Sequence, residues 1–390
     1  LKVAILCTPR DIHACKWAKA LHEAGKEVVF ICPEPEAQTL PYARVIPVRG
    51  RNSGVWTYAD FWYSAPKLRS ILNSEKPDDI HALHITPFGV WARLTGCRPL
   101  TLMALGADVL EYTDTSYKAS GWNAESSKFG IQKYFSFIWH RWQVKRTLKH
   151  ADSIFADNAA LVQGIQHLVP EIASTVKVFT WGIEMGKWVI LQEDEKKRLR
   201  QKYHLPELAK IILCPRGLKP VYQAQVILDA IKLSANQPDF FWIIWKGNYE
   251  IPPRLLEQIQ AIYSPNFLFI HETLSEQRVQ EFFALSDALV SIPVYDGLSA
   301  SVLQGLASGL YPILTDIPGN REFLQKGLHV SLLDKVDGQS LLDKVVSWCR
   351  FSNTEDLKNK VIQNRNWVEE NADINHQVHY FEKIRYANSN

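Results

Sequence analysis

The feature that most constrains this chain is an alternation: short apolar runs with strand character are separated by segments whose apolar residues recur at helical spacing. Lys2 to Cys7 is the first run. After the turn Thr8 to His13 comes a helix in which Cys15, Trp17, Ala18 and Leu21 share a face; Gly25 ends it, and Glu27 to Cys32 is the next strand. Strand, helix, strand in that order makes a parallel sheet with helices on its faces. The rhythm continues through Asp79 to Leu83, a helix over Pro87 to Leu94, then Leu100 to Leu105, Ser153 to Ala156 and Lys177 to Phe179. It stops at Gln192 to His204, which is almost wholly charged or polar. It restarts at Ile211 to Cys214 and runs through Phe240 to Trp245, Phe267 to Ile270, Ala288 to Ile292 and Tyr311 to Leu314. A chain of 390 residues is more than one core usually serves. The expectation is an α/β protein with two similar halves, domain 1–185 and domain 206–365, joined by a linker over 186–205 and followed by a helical segment over 366–390.

Composition narrows the class. A net charge of +3 is too small to imply nucleic acid. No apolar run approaches a membrane span and no signal peptide opens the chain. The six cysteines are scattered and form no C-x-x-C pair, which favours reduced, buried thiols over disulfides or a zinc site. The thirteen tryptophans and fourteen tyrosines suit a sugar or lipid site, or simply the core.

The chemistry concentrates in Ser291 to Asp316. Asp296 and Gly297 form a turn after a strand, Leu298 to Ser301 opens a helix, and Gly309 followed by Pro312 closes it. A helix N-terminus facing a strand's carboxyl end offers unpaired N–H groups to an anion, so this turn suits a phosphate. A capping box of Ser301 and Gln304 accounts for the same letters. Arg216 leaves the first strand of the second half at the same rim, and a guanidinium forks well onto a diphosphate.

In the first half, the loop after the first strand lacks G-x-G-x-x-G, which argues against NAD or FAD, but Arg10, Asp11 and His13 project where open α/β sheets place ligands. His84 and Asp108 also end strands at that rim, a position a general base needs. The structural alternatives are a backbone partner for His84 and a helix cap for Asp108. Across Lys128 to Lys149, Ile131, Phe135, Ile138, Trp142 and Leu148 fall broadly together on a helical wheel. Lys133, Arg141, Lys145, Arg146 and Lys149 crowd the remainder with Tyr134 and Trp139. That pattern suits an anionic membrane surface, where a lipid-linked acceptor is met, and equally a domain helix with a solvated basic face.

The stretch SDALVSIPVYDGLSASVLQGLASGLYPILTDIPGNREFL resembles the C-terminal signature of the family 4 retaining glycosyltransferases of GT-B fold, through Asp287, Asp296, Gly297, Leu303, Ala307, Gly309, Pro312, Thr315, Asp316 and Glu322. PRGLKPVY is similar to the family's arginine-bearing loop, VFTWGIEMGKW to its interdomain segment, and RPLTLMALGADVLEY to its H-G-x-D-V segment. The resemblance implies two Rossmann-like domains facing across a cleft, with the C-terminal helix crossing back to the first. It implies that Asp296 contacts the donor sugar, that Gly297, Leu298, Ser299 and Ala300 hold the donor phosphates, that Gln304 meets the ribose, and that Arg216 meets the diphosphate. Where the family has a lysine about five residues after its arginine this chain has Val221 and Tyr222, with Lys219 and Lys246 as substitutes. Leu105 stands in a family histidine's place, Asp108 remains beside it, and the glycine pair after the first strand is missing. Asp for Glu shortens the reach at 296, and Gln304 removes a charge but keeps an acceptor.

The implied reaction is retaining transfer of a sugar from a nucleoside diphosphate to a glycan or lipid-linked hydroxyl, in surface polysaccharide, lipopolysaccharide or glycolipid synthesis. Asp296, Asp108 and His84 are the catalytic candidates, and neither a metal nor a cofactor beyond the donor is implied. The location implied is the cytoplasm, at the inner face of the membrane if 128–149 docks there. The alternative is a catalytically weak relative that binds nucleotide or serves as a scaffold, which Gln304, Leu105 and Val221 favour. GT-B epimerases and phosphorylases are a third class, but neither their acidic pairs nor a cofactor lysine motif is apparent.

Overall fold

The computed structural model describes residues 1–51, 56–113, 129–247, 250–262 and 265–386. The chain divides into two compact units, residues 1–181 with 374–390, and residues 182–373. The first holds a seven-stranded sheet ordered β3-β2-β1-β4-β5-β6-β7. Its strands are β1 (Lys2–Leu6), β2 (Glu27–Pro33), β3 (Arg44–Val48), β4 (Asp79–Leu83), β5 (Leu100–Ala104), β6 (Ser153–Ala156) and β7 (Val176–Val178). The second holds a six-stranded sheet ordered β10-β9-β8-β11-β12-β13. Its strands are β8 (Lys210–Cys214), β9 (Phe240–Trp245), β10 (Phe267–Ile270), β11 (Ala288–Ser291), β12 (Tyr311–Thr315) and β13 (Ser331–Leu333). Every pairing is parallel. These are the two doubly wound α/β sheets that the alternation predicts.

Strand order reverses between β1 and β4 in one sheet and between β8 and β11 in the other. At such a switch point the connections leave in opposite directions and open a crevice at the strands' carboxyl ends. The elements that build these points are locally encoded. Asp11 caps helix Ile12–Glu23 by accepting the Ala14 N–H at 2.9 Å. That helix buries Ala14, Trp17, Ala18 and Leu21, residues spaced to share one face. After β8, Gly217 adopts φ +72°, and a Cβ there would stand 3.0 Å from the Lys246 carbonyl, so only glycine lets this loop pass against the end of β9.

Two segments fold differently from their sequence reading. The charged stretch is not a linker: Glu193–Lys202 is a helix of the second unit. Arg200 is buried there and donates to the carbonyls of Leu285, Glu207 and Ala209 and, at 2.6 Å, to Asp287, while Lys196 pairs with the other oxygen of that carboxylate. Charges that read as solvated are used in pairs to fasten the helix to the edge of β11. The C-terminal helix breaks at Asp373, whose backbone is extended: Glu355–Ala372 belongs to the second unit and Ile374–Tyr386 to the first. There Phe381 packs among Trp17, Phe155 and Phe179, and Arg385 reaches the fully buried Asp79 at 2.9 Å.

Candidate functional site

At the β8/β11 switch point the loop after β8 carries Arg216 and the loop after β11 carries Asp296. The two loops are stitched together: the Val294 N–H donates to the Val221 carbonyl at 2.8 Å, and the Gln223 amide donates to the Ile292 carbonyl at 2.8 Å. The Arg216 guanidinium lies 4.4 Å over the Tyr222 ring, pairs with Asp296 at 2.8 Å, and donates to the hydroxyls of Ser299 and Ser301. It is therefore fixed on three sides. Nε of Arg216 and Oδ2 of Asp296 are nonetheless buried with no hydrogen-bond partner among the described residues; the Asp296 contact has ion-pair distance but not hydrogen-bond geometry. Buried polar atoms left over in this way are open to a ligand that completes the bonding. Burial pushes the Asp296 carboxyl above its ordinary range, against the pull of Arg216 and of the Gly297 N–H.

Helix Ala300–Ala307 begins directly at this pair. Its N-cap is Ser299, whose hydroxyl is committed to Arg216 and Ser301, so the capping box of Ser301 and Gln304 does not form. The N–H groups of Ser299, Ala300 and Ser301 make no hydrogen bond among the described residues. Three free donors at a helix N-terminus beside a guanidinium form an anion cradle. Gly297 and Leu298 are buried behind it, and Gln304, half-buried one turn on, carries no side-chain hydrogen bond among the described residues. Lys246 is partly buried at the end of β9 and touches Gly217 through its backbone, whereas Lys219 is exposed. Tyr222, standing where a second cation was expected, instead supplies the face on which Arg216 lies.

Asp287, Asp316 and Glu322 have other partners. Burial opposes the charge on Asp287, but Lys196 and Arg200 hold its carboxyl below the usual range. Asp316 pairs with Arg321, and Glu322 is buried with Lys326 at 3.6 Å.

In the first unit the β1/β4 switch point brings Asp11 and His84 together at 2.9 Å. His84 holds a left-handed backbone, φ +69°, which L residues rarely adopt and which commonly marks a functional position. Burial works against a charged imidazole there, yet the hydrogen bond to Asp11 and the charges of Asp108 and Asp11 raise its pKa. Burial likewise opposes ionisation of Asp11, but His84, His13 and the Ala14 N–H bring its carboxyl down to about 2. Cys7 directly follows β1, fully buried, with its Sγ within 4.8 Å of the ligand atoms of Asp11 and His84. Asp108 is a different case. Both its oxygens accept from backbone N–H groups, Ile85 at 2.7 Å, Gly106 at 2.9 Å and Leu105 at 3.1 Å, so it braces a loop.

Helix Phe129–His150 turns inward through Phe137, Val144 and Leu148, with Arg93 holding Gln143 at 2.6 Å and Thr147 at 3.3 Å. The wheel had grouped Phe135, Ile138 and Trp142 with Leu148; the polar anchors Gln143 and Thr147 rotate the helix, leaving those three exposed beside Tyr134 and Trp139. Arg146 stacks 4.8 Å over Trp142. Lys128 lies outside the described residues.

With this geometry, the comparisons give the chain its family. The Glycosyl transferase 4-like model matches residues 2–158, and the Glycosyl transferases group 1 model matches residues 195–366. The chain belongs to the group 1 glycosyltransferases, with the two Rossmann-like domains of the GT-B fold. A glycosyltransferase from Rickettsia africae shares 16% identity and a TM-score of 0.72 over 99% of this chain and 98% of its own. Anabaena HepE, solved with UDP, shares 13% and 0.73 over 97% and 99%. WaaG, a glycosyltransferase involved in lipopolysaccharide biosynthesis, shares 14% and 0.70 over 98% and 99%. At these identities the likeness is one of fold. No curated protein sequence matches the chain.

Proposed function

We propose that this glycosyltransferase moves a sugar from a nucleoside diphosphate to an acceptor hydroxyl with retention of anomeric configuration, in the synthesis of a surface polysaccharide, lipopolysaccharide or glycolipid. The observation that carries the reading is the β8/β11 switch point: an arginine held in place but with an orphaned Nε, beside three free N–H groups of a helix N-terminus. In this reading the diphosphate oxygens take those donors. As the glycosidic bond breaks, negative charge gathers on the leaving diphosphate, and Arg216 and the helix N-terminus stabilise it more than they stabilise the ground state. Asp296 faces the transferring sugar, the acceptor hydroxyl attacks from the side the diphosphate leaves, and its proton departs with the leaving group. Asp108 braces its loop through three backbone N–H groups, and no proton transfer is assigned to it in this reading. HepE binding UDP in the same fold supports a nucleotide in this place. Calorimetry with UDP, GDP and ADP, followed by hydrolysis of the matching nucleotide sugars, tests the reading. One nucleotide is expected to bind and its sugar to be released; binding to none of the three overturns it. Binding without turnover favours the non-catalytic relative, for which the uncharged Gln304 is the specific feature.

The acceptor, in the same reading, is lipid-linked and met at an anionic membrane surface. No helix among the described residues is long and apolar enough to cross a membrane. Helix Phe129–His150 does expose Phe135, Ile138, Trp139 and Trp142 with Arg146 and Lys149, the pairing of aromatic and basic groups that an anionic interface accepts. The protein is expected to co-sediment with liposomes containing anionic lipid and not with neutral ones, and the double variant Phe135→Ser, Trp142→Ser to stay in the supernatant. Equal recovery with both lipid types counts against membrane docking.

A further inference from the structure

We propose that Cys7, Asp11 and His84 form a site for a divalent cation of the zinc class at the β1/β4 switch point of the first unit. They are the one group among the described residues in which three metal-ligating side chains converge, a thiol, a carboxylate and an imidazole with their ligand atoms all within 4.8 Å. This mixed sulfur, nitrogen and oxygen set suits a borderline-soft ion and not magnesium or calcium, which take oxygen. Zinc bonds of roughly 2.0–2.3 Å set tetrahedral ligands about 3.5 Å apart. The three atoms therefore need to draw in by little more than about an ångström.

Each ligand is aimed by something other than the cluster. Cys7 follows β1 directly, and its N–H continues the ladder to the Ile31 carbonyl. Asp11 uses Oδ1 to cap its helix, which leaves Oδ2 for the site. His84 keeps its left-handed backbone where β4 gives way to the helical turn Ile85–Gly89, and that junction directs its ring. The plain alternative is an imidazole–carboxylate pair beside an inert thiol. That account needs no sulfur at position 7, where any small apolar residue fills the space. A cation replaces the proton between Nε2 of His84 and Oδ2 of Asp11, takes the Cys7 thiol as thiolate, and releases those protons to solvent. Three protein ligands leave the fourth position open to an exogenous oxygen. The site pins the loops after β1 and β4 to each other, and it is independent of the nucleotide reading, because every ligand lies in the first unit.

The full chain, stripped with a chelator and titrated with Co²⁺ as a spectroscopic probe, decides the matter. One Co²⁺ per chain is expected, with a thiolate-to-metal charge-transfer band, and Zn²⁺ is expected to displace it. Cys7→Ser should abolish the band and weaken binding at least tenfold, while Cys15→Ser should leave both unchanged. If Cys7→Ser fails to fold, His84→Gln, at a partly exposed position, is the deciding variant and should lose the stoichiometric ion with its metal-free melting retained. No band in the unaltered protein, or a band that survives Cys7→Ser or His84→Gln, overturns the site.

Discussion

Arg216→Ala lowers the rate of sugar transfer by more than a factor of about ten, a loss of more than about 1.4 kcal/mol of transition-state stabilisation. Removing one preorganised donor to a developing anion typically costs about a hundredfold or more. Arg216→Lys is expected to recover little, because an ammonium keeps the charge but loses the fork and the flat face that rests on Tyr222. Turnover and nucleotide affinity measured on both variants check this, and an unchanged rate would remove Arg216 from the site. Asp296→Asn supplies the complementary arm. A carboxyl whose pKa is raised in the folded protein binds its proton more readily there than when unfolded. The folded state therefore loses stability as pH climbs from the ordinary carboxylate range through the raised value. Asparagine is the neutral isostere. The variant should melt higher at pH 7, lose that advantage in acid, and transfer sugar more slowly. Activity and stability moving in opposite directions separates a residue kept for chemistry from one kept for packing.

Asp79→Asn lowers the unfolding free energy by about 3 kcal/mol or more, the usual consequence of leaving one partner of a buried ion pair uncompensated. The Asp79 side chain is wholly buried, and its oxygens accept from the Thr101 hydroxyl at 3.0 and 3.1 Å, the Tyr386 hydroxyl at 3.2 Å and the Ile80 N–H at 3.0 Å as well as from Arg385. Burial opposes its charge, but His81 and Arg385 hold the carboxyl below its ordinary range. A depressed carboxyl contributes stability that is complete above the unfolded value and is lost as pH falls through the folded one. Urea unfolding at pH 7 should show the full difference between the two proteins, and a series toward pH 3 should show it shrinking. A constant gap across that series would mean that packing, not charge, ties the last helix to the sheet.

The fold was legible because parallel strands are buried on both faces and their connections are helical; a short apolar run followed by a 3.6-residue rhythm has few other meanings. The donor-side residues were legible for a related reason: a strand end, a glycine and a helix start lie within a few consecutive positions around Asp296. What stayed hidden depends on separation or on pairing. Cys7, Asp11 and His84 have no motif spacing, since strand order and not sequence brings β4 beside β1. A cap was one reading of Asp108, but nothing in its neighbours shows that three backbone N–H groups, one of them 23 positions away, will close on it. The helix at Glu193–Lys202 read as linker because its partner, Asp287, is far along the chain. Composition records charge but not its partner.

The last helix also sets an order of manufacture. Lys177 donates to the Ile384 carbonyl, a contact between residues 207 positions apart, and Phe381 closes the aromatic cluster that Trp17 and Phe179 begin. At roughly 5–20 residues per second, about 10–40 s of translation separates the two sides of that contact. The N-terminal half thus leaves the ribosome before the half that follows it and is finished after it. Throughout that interval Trp17, Phe155 and Phe179 lack the Phe381 ring that packs among them, while the C-terminal half, made later, is free to fold before it.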